Sequence, residues 1–200
     1  MNRMKLEGTD TRRIRADGQR NLVALLQAAK EVFAEAGTEA PVRDIAQRAG
    51  VGVGTVYRHF PKRSDLIAAV FSHEIDACAD AAADIAAKHP PFEAMQRWMQ
   101  EFVKLAATKR GLAEVLHSGD PAFDFMPVKR EQRLFPAFRA LFEASVAAGE
   151  IRADVKADDL LNAAATLCMS APDDRHTASA MTALLIDGLR FRPVQDASGS

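Results

Sequence analysis

Apolar residues recur at intervals of three and four from Leu22 to Leu189, and no run of four or more residues alternates apolar with polar between turn signals. That periodicity leaves no place for a sheet. It predicts an all-α chain of about nine helices, a small N-terminal unit of three helices followed by a larger helical bundle. Leu22, Leu25, Leu26, Ala29, Val32 and Phe33 mark a first helix over 20–36, with Gly37 as its stop. Pro41 suits the first turn of a second helix, whose inner face is Val42, Ile45, Ala46 and Ala49. Gly50 ends it. Val53, Val56, Tyr57 and Phe60 form a third short stripe closed by Pro61, and a longer helix follows over about 62–88. Further helices are predicted over 92–108, 110–118, 127–148, 157–171 and 175–190. Their breaks are His89-Pro90-Pro91, Gly119-Asp120-Pro121, Gly149 and Pro172.

Residues 1–19 show no such stripe and scatter Arg3, Lys5, Arg12, Arg13 and Arg15 among Gly and Asp, which reads as a flexible basic arm. Residues 193–200 read as a tail. Between them lie a domain over 20–66 and a second over 67–192. The net charge of −1 conceals an asymmetry, since residues 1–63 carry 12 Lys and Arg against 7 Asp and Glu while the remainder is acidic. A basic first third suggests a module that binds a polyanion. Two cysteines, Cys78 and Cys168, cannot build a disulfide framework or a zinc finger, and they suit a reducing cytoplasm. No apolar run reaches the ~18 residues that span a bilayer, so no membrane partner is expected, and the polar N-terminus lacks a signal-peptide core.

The most informative segment is 42–60. Two helices of about two turns each are joined by Ala49-Gly50-Val51-Gly52, the spacing of a helix-turn-helix. Gly50 can take the left-handed conformation of a sharp turn, Ala46 permits close helix approach, and Val51 plugs the corner. Ile45, Val56 and Phe60 then share a core with Leu26 and Phe33. The outward positions of the third helix are Val53, Gly54, Thr55, Arg58 and His59: short near the start, hydrogen-bonding or cationic further on. Such a face fits a major groove, its first turn near base edges and its flanks on phosphate.

Residues 20–66 resemble the N-terminal domain of TetR-family transcriptional regulators. The residues that carry the likeness are Ile45-Ala46, Ala49-Gly50-Val51, Gly54, Val56-Tyr57, His59-Phe60, Lys62 and Leu66. The all-helical remainder and the closing Leu184-Leu185-Ile186-Asp187-Gly188-Leu189 are similar in architecture. The resemblance implies that Thr55 and Tyr57 hydrogen-bond phosphates and that Lys62 meets another through its charge and exposed helix N–H groups. It implies that Val53 and Gly54 approach bases, with Val53 suited to a thymine methyl. It makes Arg43 and Arg58 further candidates for phosphate or base contact, and Arg20 a candidate to reach the neighbouring strand. His59 either lies by the DNA backbone or locks the helix, and Tyr57 has the alternative of a half-buried core aromatic. The arm at Arg12, Arg13 and Arg15 either enters a minor groove or adds non-specific attraction. Pro41 stands where many relatives have a helix-capping Ser or Thr, so a hydroxyl contact to phosphate is missing there.

One such unit binds weakly, and pairing on a palindromic operator is the usual remedy. The last two helices offer the surface for a homodimer, through Leu160, Leu161, Ala164, Met181, Leu184 and Leu185. The resemblance also implies a pocket for a small hydrophobic inducer. Trp98, Met99, Phe102, Leu116, His117, Phe125, Met126, Phe135, Phe138 and Met169 are its candidates, with plain core as the alternative for each. No cofactor or metal is expected: His73 and Cys78 are five apart on a helix and do not stack. His117-Ser118-Gly119-Asp120 has catalytic-looking residue types but no nucleophile elbow, and Gly50-Val51-Gly52-Val53-Gly54 follows no strand, so an enzyme is not expected. The expectation is a DNA-binding regulator, a repressor released by its ligand; the alternative is a helical binding protein without ligand-gated release.

Overall fold

The structure, a computed structural model, describes residues 6–111, 119–170 and 175–190. Helices α1 (Leu6–Ala36), α2 (Val42–Ala49), α3 (Val53–His59), α4 (Arg63–Ala86) and α5 (Pro91–Gly111) follow in order. A 3-10 turn at Pro121–Phe123 leads to α6 (Phe125–Lys129), a π-helical turn at Arg130–Leu134, α7 (Phe135–Ala147), α8 (Ala157–Ser170) and α9 (Arg175–Asp187). Among the described residues no strand forms, and an isolated bridge pairs Ile151 with Arg190. The all-α expectation is met. Among the same residues no helix is long and apolar enough to cross a membrane.

The chain divides into two units. One comprises residues through His73 together with Gly119–Phe123; the other runs from Glu74 onward apart from that segment. The division therefore falls inside α4, after His73 rather than after Leu66.

In the first unit, Leu25, Leu26, Ala29 and Val32 of α1 pack with Ile45 and Ala46 of α2, Val56 of α3, and Leu66 and Val70 of α4. Leu22, Phe33, Val51 and Phe60 close the edges of that core. Each fully buried Leu or Ile contributes about 1.5–3 kcal/mol by leaving water, which is what holds two helices as short as α2 and α3 in place. The first helix starts at Leu6 and not at Arg20, so residues 6–19 are helical where the sequence suggested an arm. Extending a formed helix needs no new nucleus, so α1 continues through residues that carry no apolar stripe of their own. Arg3, Lys5 and residues 193–200 lie outside the described residues, as does most of the helix expected over 110–118.

In the second unit Trp98 is fully buried, stacked 5.8 Å from Phe102 and 5.5 Å from Phe138 between ring centroids. Its indole N–H donates to the Cys78 carbonyl at 2.8 Å, which joins α5 to α4. Met95, Met99, Leu141, Leu161, Cys168 and Ile186 are also buried in this unit. Outside the core, Arg139 grips Asp158 with two bonds of 2.7 and 2.6 Å, and Lys129 and Arg133 pair with Asp76. The helix expected over 127–148 is interrupted by the π-helical turn. Pro136 explains this: it offers no N–H to the carbonyl one turn back and its ring crowds that carbonyl, so the backbone widens just before it.

Candidate nucleic-acid interface

Two short helices make a reading head only if the turn between them is fixed. Gly50 lies at φ +67°, ψ +28°, and two bonds close the end of α2. The Val51 N–H reaches the Ala46 carbonyl at 3.0 Å and the Gly50 N–H reaches the Gln47 carbonyl at 3.2 Å. This pairing satisfies carbonyls that the helix end would leave open. Gly52 then caps α3, its carbonyl accepting from the Thr55 N–H at 2.8 Å. Pro41 is the N-cap of α2 rather than part of its first turn, and no side chain caps that end.

Val56 is the anchor of α3, buried in the shared core, and its burial turns the opposite face outward. Tyr57 is 52% exposed and Val53 40% exposed, with Gly54 and Arg58 beside them. Tyr57 is thus not a core aromatic. A Cβ added at Gly54 would meet nothing within 4 Å, so the helix backbone is open to close approach at this point. Thr55 is half-buried, and its Oγ1 accepts from Arg58 Nη2 at 3.1 Å while Arg58 Nε donates to the Gly54 carbonyl at 3.1 Å. His59 Nδ1 donates to the Thr55 carbonyl at 2.9 Å. Of the two roles weighed for His59, the side chain here fastens the last turn of its own helix.

Flanking this face, Lys62 precedes α4, and its backbone N–H donates to Asp65 Oδ2 at 3.0 Å, half of a capping box. Arg43, in the first turn of α2, is largely exposed and touches its neighbour Asp44 at 3.3 Å. Arg20 is exposed on α1. All the residues expected to meet DNA therefore lie in the first unit, and Val53, Gly54, Tyr57, Arg58 and Lys62 line α3 and the start of α4.

Two supporting arginines carry no local sequence signal. Arg63 Nε donates to the Thr38 carbonyl and its Nη2 to the Ala40 carbonyl, so the start of α4 holds the turn that leads into α2. Arg48 of α2 forks onto Glu35 of α1 at 2.7 and 2.8 Å, and this hydrogen bond holds the Glu35 carboxyl below the usual carboxylate range. Both contacts join residues far apart in sequence, and an isolated Arg gives no hint of its partner.

The second unit carries a groove of about 270 Å³ between α5 and α9. Met99, Val103, Ala183 and Ile186 supply apolar lining, Gln96, Gln100, Ser179 and Thr182 neutral polar groups, and Glu93 and Arg97 a pair of charges. Of the ten pocket residues suggested by sequence, Met99 lies here. Trp98, Phe102, Phe135 and Phe138 are buried in close-packed core, Phe125 and Met126 are half-buried, and Met169 is exposed. Leu116 and His117 lie outside the described residues. The dimer candidates divide in the same way. Leu160, Leu161 and Ala164 are buried within the chain's own core, whereas Met181 is exposed, Leu184 is 73% exposed and Leu185 is half-buried. Among the described residues, no three His, Cys, Asp or Glu side chains gather as a metal site.

Comparison with known proteins gives the same picture. The family profile described as bacterial regulatory proteins, tetR family, matches residues 25–70. The profile for the C-terminal domain of SbtR-like transcriptional regulators matches residues 90–191. An HTH-type transcriptional regulator of Staphylococcus aureus (strain MRSA252) is 28% identical over 155 residues, 76% of this chain and 82% of its own. A TetR transcriptional regulator of Streptomyces coelicolor superposes with a TM-score of 0.72 at 37% identity, over 84% of this chain and 97% of that one. A TetR transcription regulatory protein of Mycobacterium vanbaalenii gives 0.71 at 31% identity, over 89% and 99%. With the exposed face of α3 braced by α1, α2 and α4, and with both of its units matched, the chain belongs to the TetR family of DNA-binding transcriptional regulators.

Proposed function

We propose that the protein binds a palindromic operator as a homodimer, placing α3 of each subunit in the major groove, and that a small ligand releases it. The observation that carries this reading is the outward face of α3: Val53 and Gly54 at the start, Tyr57 and Arg58 one turn on, and Lys62 at the edge. Val53 and Gly54 approach base edges, where an apolar methyl and a bare backbone tolerate close contact. Tyr57 gives its phenol to one phosphate and Lys62 its ammonium to another. Arg58 already bonds to the Gly54 carbonyl and Thr55 hydroxyl, so it reaches DNA only by exchanging those neutral partners for a phosphate, a stronger charge-assisted bond.

Dimerisation rests on the exposed apolar residues Met181 and Leu184 of α9 and Met169 of α8, which the same residues of a second copy would cover. The groove between α5 and α9, just under the ~300–1,000 Å³ of drug-sized sites, suits a molecule with an apolar body and a few polar groups. A ligand that prefers a form with the two α3 helices wrongly spaced lowers operator affinity by that preference. Repression is the mode this release mechanism serves.

Tyr57→Phe combined with Lys62→Ala tests the interface. Binding of every duplex sequence should weaken, the salt dependence should flatten by about one unit for the lost lysine, and circular dichroism should remain helical. Unchanged affinity would refute the phosphate roles.

A further inference from the structure

The groove between α5 and α9 has a defined register. Gln96 Nε2 donates to Asp187 Oδ1 at 2.9 Å, near the start of α5 and the end of α9. Further along α5 and further back along α9, Val103 shares a buried cluster with Ala178. The two helices therefore run antiparallel, and the lining from Glu93 to Val103 extends over roughly 15 Å at the rise of an α-helix. Ser179 and Ala183 are the small residues of α9 that leave this space open.

Floor and rim differ in chemistry. Met99, Val103, Thr182 and Ile186 are buried and form the floor. The Thr182 hydroxyl donates to the Ala178 carbonyl of its own helix at 2.8 Å, so the floor has no hydroxyl proton left to give. Arg97, Gln100, Ser179 and Ala183 are exposed at the rim. A molecule held here lays its apolar body on the floor and keeps its polar group at the rim.

The rim decides the charge of that polar group. Glu93 Oε1 accepts from Arg97 Nε at 2.8 Å and lies 3.1 Å from His89 Nδ1, so the carboxylate is engaged from two sides. Arg97 spends its Nε–H on Glu93, and among the described residues its two terminal nitrogens have no partner. The Gln100 amide and the Ser179 hydroxyl have none among the same residues. An arriving cation meets a carboxylate already engaged, whereas an arriving anion meets open donors, one of them charged.

The geometry points to an organic anion as the ligand of this groove: a carboxylate or similar monoanion bound by the terminal nitrogens of Arg97, on an apolar body no longer than the groove. The inference rests on the reading above that this groove is the ligand site. Glu93 then competes with the ligand for Arg97, so the strength of that ion pair sets how tightly the anion is held.

Octanoate, octanol and octylammonium share one apolar body and differ in charge. Titration calorimetry of each into the full-length protein separates charge from hydrophobic fit. Octanoate should bind most tightly. Arg97→Gln should weaken it about two- to fivefold, the range of an exposed charge pair, and Arg97→Lys should restore part of the loss. Glu93→Gln should tighten it by a similar factor, because the competing carboxylate is gone. Both changes should shrink at high salt, and octanol should respond to neither substitution. Neither side chain is buried, so circular dichroism of the variants should match wild type. Octanol or octylammonium binding as tightly as octanoate, or octanoate binding that ignores both substitutions, overturns the inference alone. No binding by any of the three, as when a second copy covers the groove, overturns the inference and the groove's role as a ligand site together.

Discussion

Gly50→Ala is a direct probe of the turn that sets α3 against α2. Gly50 sits at φ +67°, ψ +28°, a conformation that costs an L-residue about 1–2 kcal/mol through its Cβ. The added methyl meets nothing within 4 Å, so no clash contributes and the whole cost is conformational. Alanine recovers part of this, about 0.4–1 kcal/mol, by restricting the unfolded chain. The net loss is then about 1 kcal/mol. Asparagine, which tolerates the left-handed region, should lose less, and β-branched valine more. Scanning calorimetry reads the difference: a drop of about 4–8 °C per kcal/mol if the first unit melts alone, or about 2–4 °C if the chain melts as one. Gly149 provides a control, with φ +70°, open space for a Cβ and a position in the second unit. Gly149→Ala should cost a similar amount and leave DNA binding unchanged. If Gly50→Ala is neutral, or if valine is no worse than alanine, the left-handed turn is not what joins the two helices.

Trp98→Phe removes the 2.8 Å bond to the Cys78 carbonyl and leaves a small void between Phe102 and Phe138. About 1 kcal/mol for the bond and a similar term for the void predict a loss of about 2 kcal/mol in urea melts, and a loss below about 0.5 kcal/mol would contradict the packing. Acid should destabilise the fold through Glu35, Glu93, Asp120, Asp154 and Asp158, whose carboxyls are all held below their ordinary values by Arg partners or, for Asp120, first by a backbone N–H. Their folded values lie below the unfolded ones, so the stabilisation is complete above about pH 4.5 and is lost as pH falls through the folded values. These groups are solvent-exposed, so the effect is small and shrinks in salt; urea melts that strengthen on acidification would reverse the sign of the argument.

The turn between α2 and α3 and the outward face of α3 were legible because several independent requirements fall on adjacent residues. Gly50 must turn left-handed, Ala46 must be small, Val56 must be buried, and the positions between them face solvent by helical periodicity alone. The core of the first unit was legible for the same reason, since Leu25, Leu26, Ile45 and Leu66 each repeat at helical spacing. What the sequence hid depends on pairing across distance. Arg63 reaches the Thr38 and Ala40 carbonyls, and Arg48 reaches Glu35, with no local pattern to announce either contact. Leu160, Leu161 and Met181 look alike in a periodicity argument. Which of them faces the chain's own core depends on how α8 and α9 pack, and this turned Leu160 and Leu161 of α8 inward and left Met181 of α9 in solvent. Phe and Met clusters suffer the same ambiguity, because a core and a ligand pocket are built from the same residue types. The π-helical turn was missed for a simpler reason: Pro136 lies inside an otherwise regular helical stripe, and periodicity takes no account of a missing N–H.

The central claim is that α3, presented twice by a symmetric pair, reads duplex DNA by sequence. Selection of host genomic fragments by the purified protein, followed by sequencing at two salt concentrations, tests it most directly. The account predicts enrichment of few loci sharing a dyad-symmetric site, with half-site centres about 34–36 Å apart or a multiple of that spacing, and selectivity that survives the higher salt. A folded, helical sample that enriches no locus over random fragments, or loses all binding together as salt rises, would contradict it.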